Sequence, residues 1–337
     1  MTQGTPVQRT EHEQSVARES MEMSGKKPRA SIAVPVYNGD NYVEYALQTA
    51  LAQTYVDFEI VISDNASTDR TEEICRRFVE SDSRVHYYRS EVNRGVYWNF
   101  RRGLELSQGE YFMWLAHDDG LTPEFLERCV AALDAEPESV LAYTKAIDID
   151  QHGNQLELKE QVLNAESSNP RERFRQMSRL EHNCESIFGL MRVSALNNVR
   201  VFSDLADSDR VMLAELSLYG RYARIPEFLF LHREHPQRAT SAYPQSRFER
   251  TAILLPEKAG KIVFPHFRQF GEYVLCIHRS PLGWRDRMLC YKDMLVWFWR
   301  YRGRLRRDIQ DVAFYLLRRV FPSTASRTRA ATGDHSA

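Results

Sequence analysis

Along the first half of the chain, short apolar, β-branched runs alternate with stretches whose apolar residues return every three or four positions. Ser31-Ile32-Ala33-Val34-Pro35-Val36 is the first run, ended by the turn residues Asn38, Gly39 and Asp40. Val43, Ala46, Leu47, Ala50 and Leu51 then fall at helical spacing up to Gln53, with Asp40 or Asn41 placed to cap. A second strand, Phe58-Glu59-Ile60-Val61-Ile62, gives way to the polar segment Ser63 to Asp69. A helix from about Arg70 to Ser81 carries Ile74, Phe78 and Val79, and Val85-His86-Tyr87-Tyr88 is a short third strand. After the turn Asn93-Arg94-Gly95, a helix runs through Phe100 and Leu104 to near Gly109. The strand Tyr111-Phe112-Met113-Trp114-Leu115 follows and ends in His117-Asp118-Asp119. The order β-α-β-α-β-α-β predicts parallel strands with right-handed crossovers, an α/β sheet covered on both faces.

In open sheets of this kind, ligands bind outside the carboxyl ends of the strands. Three polar clusters fall there: Tyr37-Asn38, Asp64-Asn65 and Asp118-Asp119. Adjacent carboxylates behind Trp114-Leu115 repel one another and are costly to bury, so the last cluster asks for a cation. A hard divalent metal fits, because Mg²⁺ takes one or two carboxylates and leaves the rest of its shell to water and substrate phosphates. The other reading is a helix start, since Asp-Asp-Gly-Leu-Thr-Pro-Glu contains a plausible N-cap. Neither Gly-x-Gly-x-x-Gly after the first strand nor Gly-x-x-x-x-Gly-Lys-Ser/Thr occurs anywhere, which argues against a dinucleotide fold and a P-loop. A nucleotide would then be held by a carboxylate such as Asp64 on its ribose or base, and by a metal on its diphosphate.

The second half predicts a helix from Pro123 to Leu133, a strand at Val140-Leu141-Ala142-Tyr143 and a turn at Gln151-His152-Gly153-Asn154. Leu156 to Pro170 is polar without clear periodicity, which predicts an exposed loop over the cleft. Ile187 to Arg192 is an apolar run around Gly189. Phe202 to Arg210 places several acids ahead of a helix with Val211, Leu213, Leu216 and Leu218, an arrangement that the helix dipole favours by itself. The stretch Pro226 to Pro236 ends a strand in Arg233 and His235, which could simply be a charge-protected strand edge.

Composition narrows the class. With 337 residues, net charge -1, 43% hydrophobic and 27% charged residues, the chain can bury a large core and carries no global signature of nucleic-acid binding. Five scattered cysteines without a Cys-x-x-Cys pair argue against a zinc site and a disulfide framework, and suit a reducing cytoplasm. No run is long and apolar enough for a membrane span or a signal peptide. The last third departs from this average: Trp284, Trp297, Phe298, Trp299, Tyr301, Phe314 and Tyr315 are interleaved with ten Lys or Arg residues between Arg285 and Arg319. Such a stretch suits a membrane interface, a helix packed on the rest of the domain, or a dimer contact, and basic-aromatic mixing also occurs in nucleic-acid sites.

Four motifs in order resemble the donor half of family 2 glycosyltransferases: Val34-Pro35-Val36-Tyr37-Asn38-Gly39, the segment Val61 to Asp69, Asn93-Arg94-Gly95 and the Asp118-Asp119 edge. The match covers Ala30 to Leu133, with a looser continuation to about Ser241. The resemblance implies a GT-A fold, Rossmann-like and mostly parallel with flanking helices, that binds a nucleotide-diphosphate sugar with Mg²⁺ or Mn²⁺. Pro35, Tyr37 and Asn38 would line the nucleotide pocket, Asp64 would contact the base or ribose, and Asn93, Arg94 and Asn99 would flank the donor. Asp118 and Asp119 correspond to the metal-binding acidic motif, although Ala116 stands where the family's first Asp is usual and Trp98 where an Arg is common. Arg233 and His235 match an Arg-x-His element that closes over the diphosphate, implying donor contact for Arg233 and metal contact for His235. Asp209 falls at the general base, with Ser208-Asp209 in place of the commoner Glu-Asp and Asp207 in reserve.

The expected organisation is a disordered segment 1–27, a donor half 28–135, an acceptor half 136–241, a helical extension 242–321 and a disordered tail 322–337. The expected activity is transfer of a sugar, with inversion, to an acceptor hydroxyl of a glycan, a lipid-linked sugar or another molecule, in polysaccharide or glycolipid synthesis. The expected place is the cytoplasm, peripheral at the inner face of the membrane through the C-terminal helices, with no nucleic-acid partner. Two other classes stand beside it. A nucleotidyltransferase would need a Gly-rich, basic loop that Tyr37-Asn38-Gly39-Asp40 lacks, and a non-catalytic nucleotide-sugar protein would fit the loss of the acid at Ala116.

Overall fold

The computed structural model describes residues 27–160, 163, 165–181, 184–203, 205–238, 251, 254, 255 and 261–320. The segment expected to be disordered before Pro28 lies, except for Lys27, outside the described residues, as does the tail from 322. Strands β1 (Ala30–Val36), β2 (Phe58–Asp64), β3 (Val85–Arg89) and β4 (Tyr111–Trp114) alternate with helices α1 (Val43–Leu51), α2 (Thr71–Ser81) and α3 (Val96–Leu106). They pair in parallel in the order β3-β2-β1-β4. The apolar runs are buried on both faces, as a sheet covered by helices on each side requires. Ile32, Val34 and Val36 pack with Leu47, Ile74 and Met113, while Ala33 joins Phe112 and Trp114 in the other cluster.

The sheet then continues through β5 (Gly120–Leu121), α4 (Phe125–Ala135), β6 (Ser139–Ile149), β7 (Gln155–Lys159), α5 (Pro170–Met177), β8 (Leu190–Arg192), α6 (Val193–Leu196), α7 (Ser208–Leu216) and β9 (Arg221–Arg233). The three-residue β8 runs antiparallel to both β4 and β6, and β9 runs parallel to β6, so one sheet, ordered β3-β2-β1-β4-β8-β6-β9-β5, passes through both expected halves.

Three local expectations change. The strand at Val140 extends to Ile149, eleven residues in all. The loop expected from Leu156 begins instead as β7, antiparallel to β6. Its Gln-Leu-Glu-Leu-Lys is exposed throughout except at Lys159, so backbone pairing and the turn hold it more than burial: the Asp150 carboxylate accepts from the His152 and Asn154 amides. Asp118-Asp119 starts no helix. The chain turns at His117-Asp118 into β5, which runs antiparallel to β9, and α4 begins only at Phe125, with Glu124 at its N-cap.

Gly109, between α3 and β4, lies against β1. A Cβ there would sit 2.7 Å from the Tyr111 carbonyl oxygen and 2.8 Å from backbone atoms of Ala30 and Ser31, none of which can swing away. Gly109→Ala is therefore expected to destabilise the fold by about 1–3 kcal/mol, the usual cost of overpacking. The measurement is a lower midpoint in urea unfolding at unchanged slope.

The C-terminal stretch forms α8 (Pro265–Arg279), α9 (Trp284–Arg300) and α10 (Arg302–Val320). Helix α8 packs on α7, and α9 packs on α5 and α8. Tyr273, Cys276, Ile277, Cys290, Met294 and Trp297 join the cluster that holds Phe174 and Met177. The Trp297 indole donates to the Ser178 carbonyl at 2.9 Å, and the Asp308 carboxylate accepts from the backbone amide of His266 at 2.7 Å. One face of the extension is thus packed on the domain. Among the described residues, no helix is long and apolar enough to cross a membrane.

Candidate active site

The ends of β1, β2 and β4 meet the end of β9, and four of the expected residues come together there. Asp119 is buried, and its Oδ1 accepts from the Arg233 backbone amide at 2.9 Å. The Arg233 guanidinium donates from Nε to the Asp118 carbonyl (2.8 Å) and from a terminal nitrogen to the Asp150 carbonyl (2.9 Å). It lies over the rings of Tyr42 and Tyr45, 4.8 and 4.4 Å from their centroids. The Asp118 carboxylate does something different: its Oδ2 meets His235 Nε2 at 3.0 Å. His235 packs its ring on Tyr42, 4.7 Å between centroids, and its Nδ1 is buried with no partner among the described residues.

Electrostatics separates the two acids in the same way. Burial pushes Asp119 well above the usual carboxylate range, and the neighbouring Asp118 pushes it further. Burial alone would also raise Asp118, but His117 and the hydrogen bond to His235 outweigh it and hold its carboxyl below the usual value. Asp118 is the ionised member, and Asp119 the one tied into the backbone of β9.

The residues expected to hold the donor divide similarly. Tyr37 and Asn38 are exposed at the end of β1; Asn38 takes a left-handed φ of 50°, its amide donating to Ser67 Oγ and its side-chain oxygen accepting from the Thr68 amide. Asn93 and Arg94 are exposed too, clamped to Asn65: Asn65 Nδ2 donates to Asn93 Oδ1 at 2.8 Å, and the Arg94 amide donates to Asn65 Oδ1 at 2.9 Å. Trp98 carries the guanidinium groups of Arg94 and Arg102 at 5.0 and 5.1 Å. Pro35, Asp64 and Asn99 are buried. Asp64 accepts from the Ser67 amide (2.9 Å) and the Tyr87 hydroxyl (2.5 Å), and Asn99 accepts from Ser63 Oγ (2.7 Å) while donating to the Val36 carbonyl (3.2 Å). These two brace the loops that present the exposed residues. Asp64 is fully buried, so a ribose or base can reach it only if the segments around it part.

Asp209 sits in the first turn of α7 after Asp207, whose φ of 62° turns the chain into the helix. Its surroundings are Asp207, Arg210, Cys184 and Tyr97, and the Tyr97 hydroxyl accepts from the Asp207 amide at 3.1 Å. Burial first, and the Asp207 charge second, raise the Asp209 carboxyl above its ordinary value. Tyr97 belongs to α3, so this bond ties α7 to the β1–β4 side of the sheet.

Several residues of the site were not singled out in the sequence. Tyr42 and Tyr45 lie off the apolar face of α1, and that three-residue spacing toward a cleft was their only signal. Asp148, His232 and Glu234 form a grouping whose ligand atoms lie within 4.8 Å of one another. Cations already occupy it: Lys159 Nζ is 2.5 Å from Asp148, and Arg238 bonds Glu234 at 2.7 Å and also His232 Nε2. With Arg238 donating to Nε2, His232 Nδ1 is the nitrogen that donates to Asp148, at 3.0 Å. That grouping reads as an ion-pair network.

Comparison with known proteins agrees with this architecture. An uncharacterized glycosyltransferase of Rickettsia typhi is 35% identical over 137 residues, 40% of this chain and 42% of that protein. Chondroitin synthase of Escherichia coli is 32% identical over 127 residues, 38% of this chain and 18% of that protein. The matched stretch spans less than half the length of either relative. Among solved structures, S. aureus TarS 1-349 in complex with UDP-GlcNAc superposes with a TM-score of 0.62 at 16% identity, covering 84% of this chain and 80% of that one. That likeness places the chain in the GT-A fold. The family model described as Glycosyl transferase family 2 matches residues 31–200, half of the chain, and with that match the chain belongs to the family 2 glycosyltransferases.

Proposed function

We propose that this chain transfers a sugar from a nucleotide-diphosphate sugar to an acceptor hydroxyl by a single inverting displacement, with a divalent metal, Mg²⁺ or Mn²⁺, at Asp118 and His235. The observation that carries the metal is the 3.0 Å between Asp118 Oδ2 and His235 Nε2. Two neighbouring ligands on an octahedral ion with bonds of about 2.1 Å lie about 3.0 Å apart. The pair offers one carboxylate oxygen and one imidazole nitrogen, and Ala116 adds no third ligand. When bound, the metal would neutralise charge on the departing diphosphate. Asp119 and Arg233 would fix the two ligands through the backbone, so Arg233 acts here as a brace, its side chain being already committed to two carbonyls.

Tyr37, Asn38, Asn93 and Arg94 would line the nucleotide, held by Asp64, Asn65 and Asn99. Asp209 would accept the proton of the acceptor hydroxyl as its oxygen attacks the anomeric carbon and the bond to the diphosphate breaks. The segment 28–135 would then serve the donor, 136–241 the acceptor. Chondroitin synthase among the relatives and TarS with UDP-GlcNAc among the structures favour a UDP-sugar as the first donor to try and a glycan or polysaccharide as the acceptor.

The test is nucleoside-diphosphate release from a panel of sugar nucleotides, with Mn²⁺ and with chelator. Release from one donor that chelator abolishes is expected; release indifferent to chelator removes the metal, and release from none removes the transferase reading.

A further inference from the structure

Helix α9 has two faces of opposite use. Cys290, Met294 and Trp297 are buried at three- and four-residue spacing against α5 and α8. On the other side Trp284, Met288, Leu295, Val296 and Trp299 stand in solvent, between 51% (Met288) and 71% (Trp284) exposed. Trp284, Met288, Leu295 and Trp299 fall within one stripe along the axis at 3.6 residues per turn, and the two indoles sit about 22 Å apart at its ends. Single exposed apolar residues need no explanation, but five on one helix face mark a surface that something covers.

The charges on this face say what. Arg285, Lys292 and Arg300 are exposed around the stripe, and Arg302, Arg306 and Arg307 extend the basic rim into α10. The acids of the same segment turn toward the protein: Asp293 pairs with Arg171 at 2.7 Å, Asp308 with His266 at 2.6 Å, and Asp286 is half-buried. Between 284 and 307 there are eight Lys or Arg and two Asp, in a chain whose net charge is -1. A second copy of the chain packed face to face would set Arg285, Lys292 and the α10 arginines against each other, and Glu181, the acid at this rim, is already paired with Arg300 at 3.3 Å. Bases stack on aromatic faces, whereas Met288, Leu295 and Val296 offer none, which disfavours nucleic acid.

We propose that α9 lies flat in the headgroup region of an anionic membrane, with Trp284 and Trp299 inserted and Arg285 and Lys292 on lipid phosphates. Because α9 packs on α5 and α8, and both of these pack on α7, the bilayer surface is held in fixed relation to the helix that begins at Ser208-Asp209. This inference stands apart from the transferase reading, and either can fail alone.

The experiment is co-sedimentation of the full chain with vesicles of phosphatidylcholine, and of phosphatidylcholine with phosphatidylglycerol. Sedimentation with the anionic vesicles, little with the neutral ones, and release by salt is expected. The double variant Trp284→Ser, Trp299→Ser should partition roughly tenfold more weakly or worse. Arg285→Gln with Lys292→Gln should lose the preference for anionic lipid. Both substituted pairs are exposed, so far-UV circular dichroism and nucleoside-diphosphate release without lipid should match the unaltered protein. The proposal is overturned if the chain stays in the supernatant with both vesicles, or if the tryptophan variant sediments undiminished. It is equally overturned if that variant instead loses a concentration-dependent dimer seen by light scattering.

Discussion

Asp209→Asn is expected to lower sugar transfer by about 10²–10⁴-fold, the usual worth of a positioned general base, while binding of the sugar nucleotide persists. The amide keeps the shape of the carboxylate and removes its ability to take a proton. The pH profile should show the same residue. In the unaltered protein, burial and Asp207 hold the Asp209 carboxyl above its ordinary value. The base form is therefore lost as pH falls through that raised value, and the acid limb should lie above the roughly 3.9 of a free Asp. Stability moves the other way. An acid whose folded-state value is raised holds its proton more tightly when folded, so the native state loses stability as pH rises from the unfolded value through the raised one. Asn removes that cost, and the unfolding temperature should hold or rise at neutral pH. Unchanged turnover would hand the role to Asp207.

The two adjacent acids should respond differently to substitution. Asp118→Asn is expected to abolish saturable Mn²⁺ binding, followed by the ion's paramagnetic resonance in the free chain, and to lower transfer beyond the roughly 10–100-fold that outer-shell changes at metal sites cost. Its effect on unfolding should be small, because among the described residues the side chain's hydrogen bond to another side chain is the one to His235. Asp119→Ala leaves the buried Arg233 amide without its acceptor, and should cost about 1–3 kcal/mol of stability. Undiminished Mn²⁺ binding by the Asp118 variant would place the ion elsewhere, with Asp148, His232 and Glu234 the first place to look.

The donor-side strands were legible because burial on both faces writes itself as unbroken apolar runs such as Ser31 to Val36, and the carboxyl-end clusters follow from the order of elements alone. The second half was less so. Strand β7 is exposed and held by backbone pairing, so its Gln-Leu-Glu-Leu-Lys carries almost no burial signal. The division of labour between Asp118 and Asp119 was invisible, since it depends on which of them faces His235 and which the Arg233 amide, contacts between residues 117 and 114 positions apart. Arg233 was expected at the diphosphate; its neighbours Tyr42, Tyr45 and two carbonyls could not be read from β9 alone. In the C-terminal helices the mixture of aromatic and basic residues was plain, but only the three-dimensional packing separates Trp297, which holds the domain, from Trp284 and Trp299, which do not.

The distance in sequence between the acids and their partners also bears on how the chain is made. Strands β1 to β4 leave the ribosome first, and Asp118 and Asp119 then lie at a completed parallel sheet with neither the His235 ring nor the Arg233 amide yet synthesised. At elongation rates of about 5–20 residues per second the wait is on the order of ten seconds. During it, two like charges face each other at an open edge, and the proposed ion site would have only half of its ligand pair. If an ion binds where proposed, its capture would await the last strand, and the same closure that pairs β9 with β6 and β5 would decide when the chain could hold it.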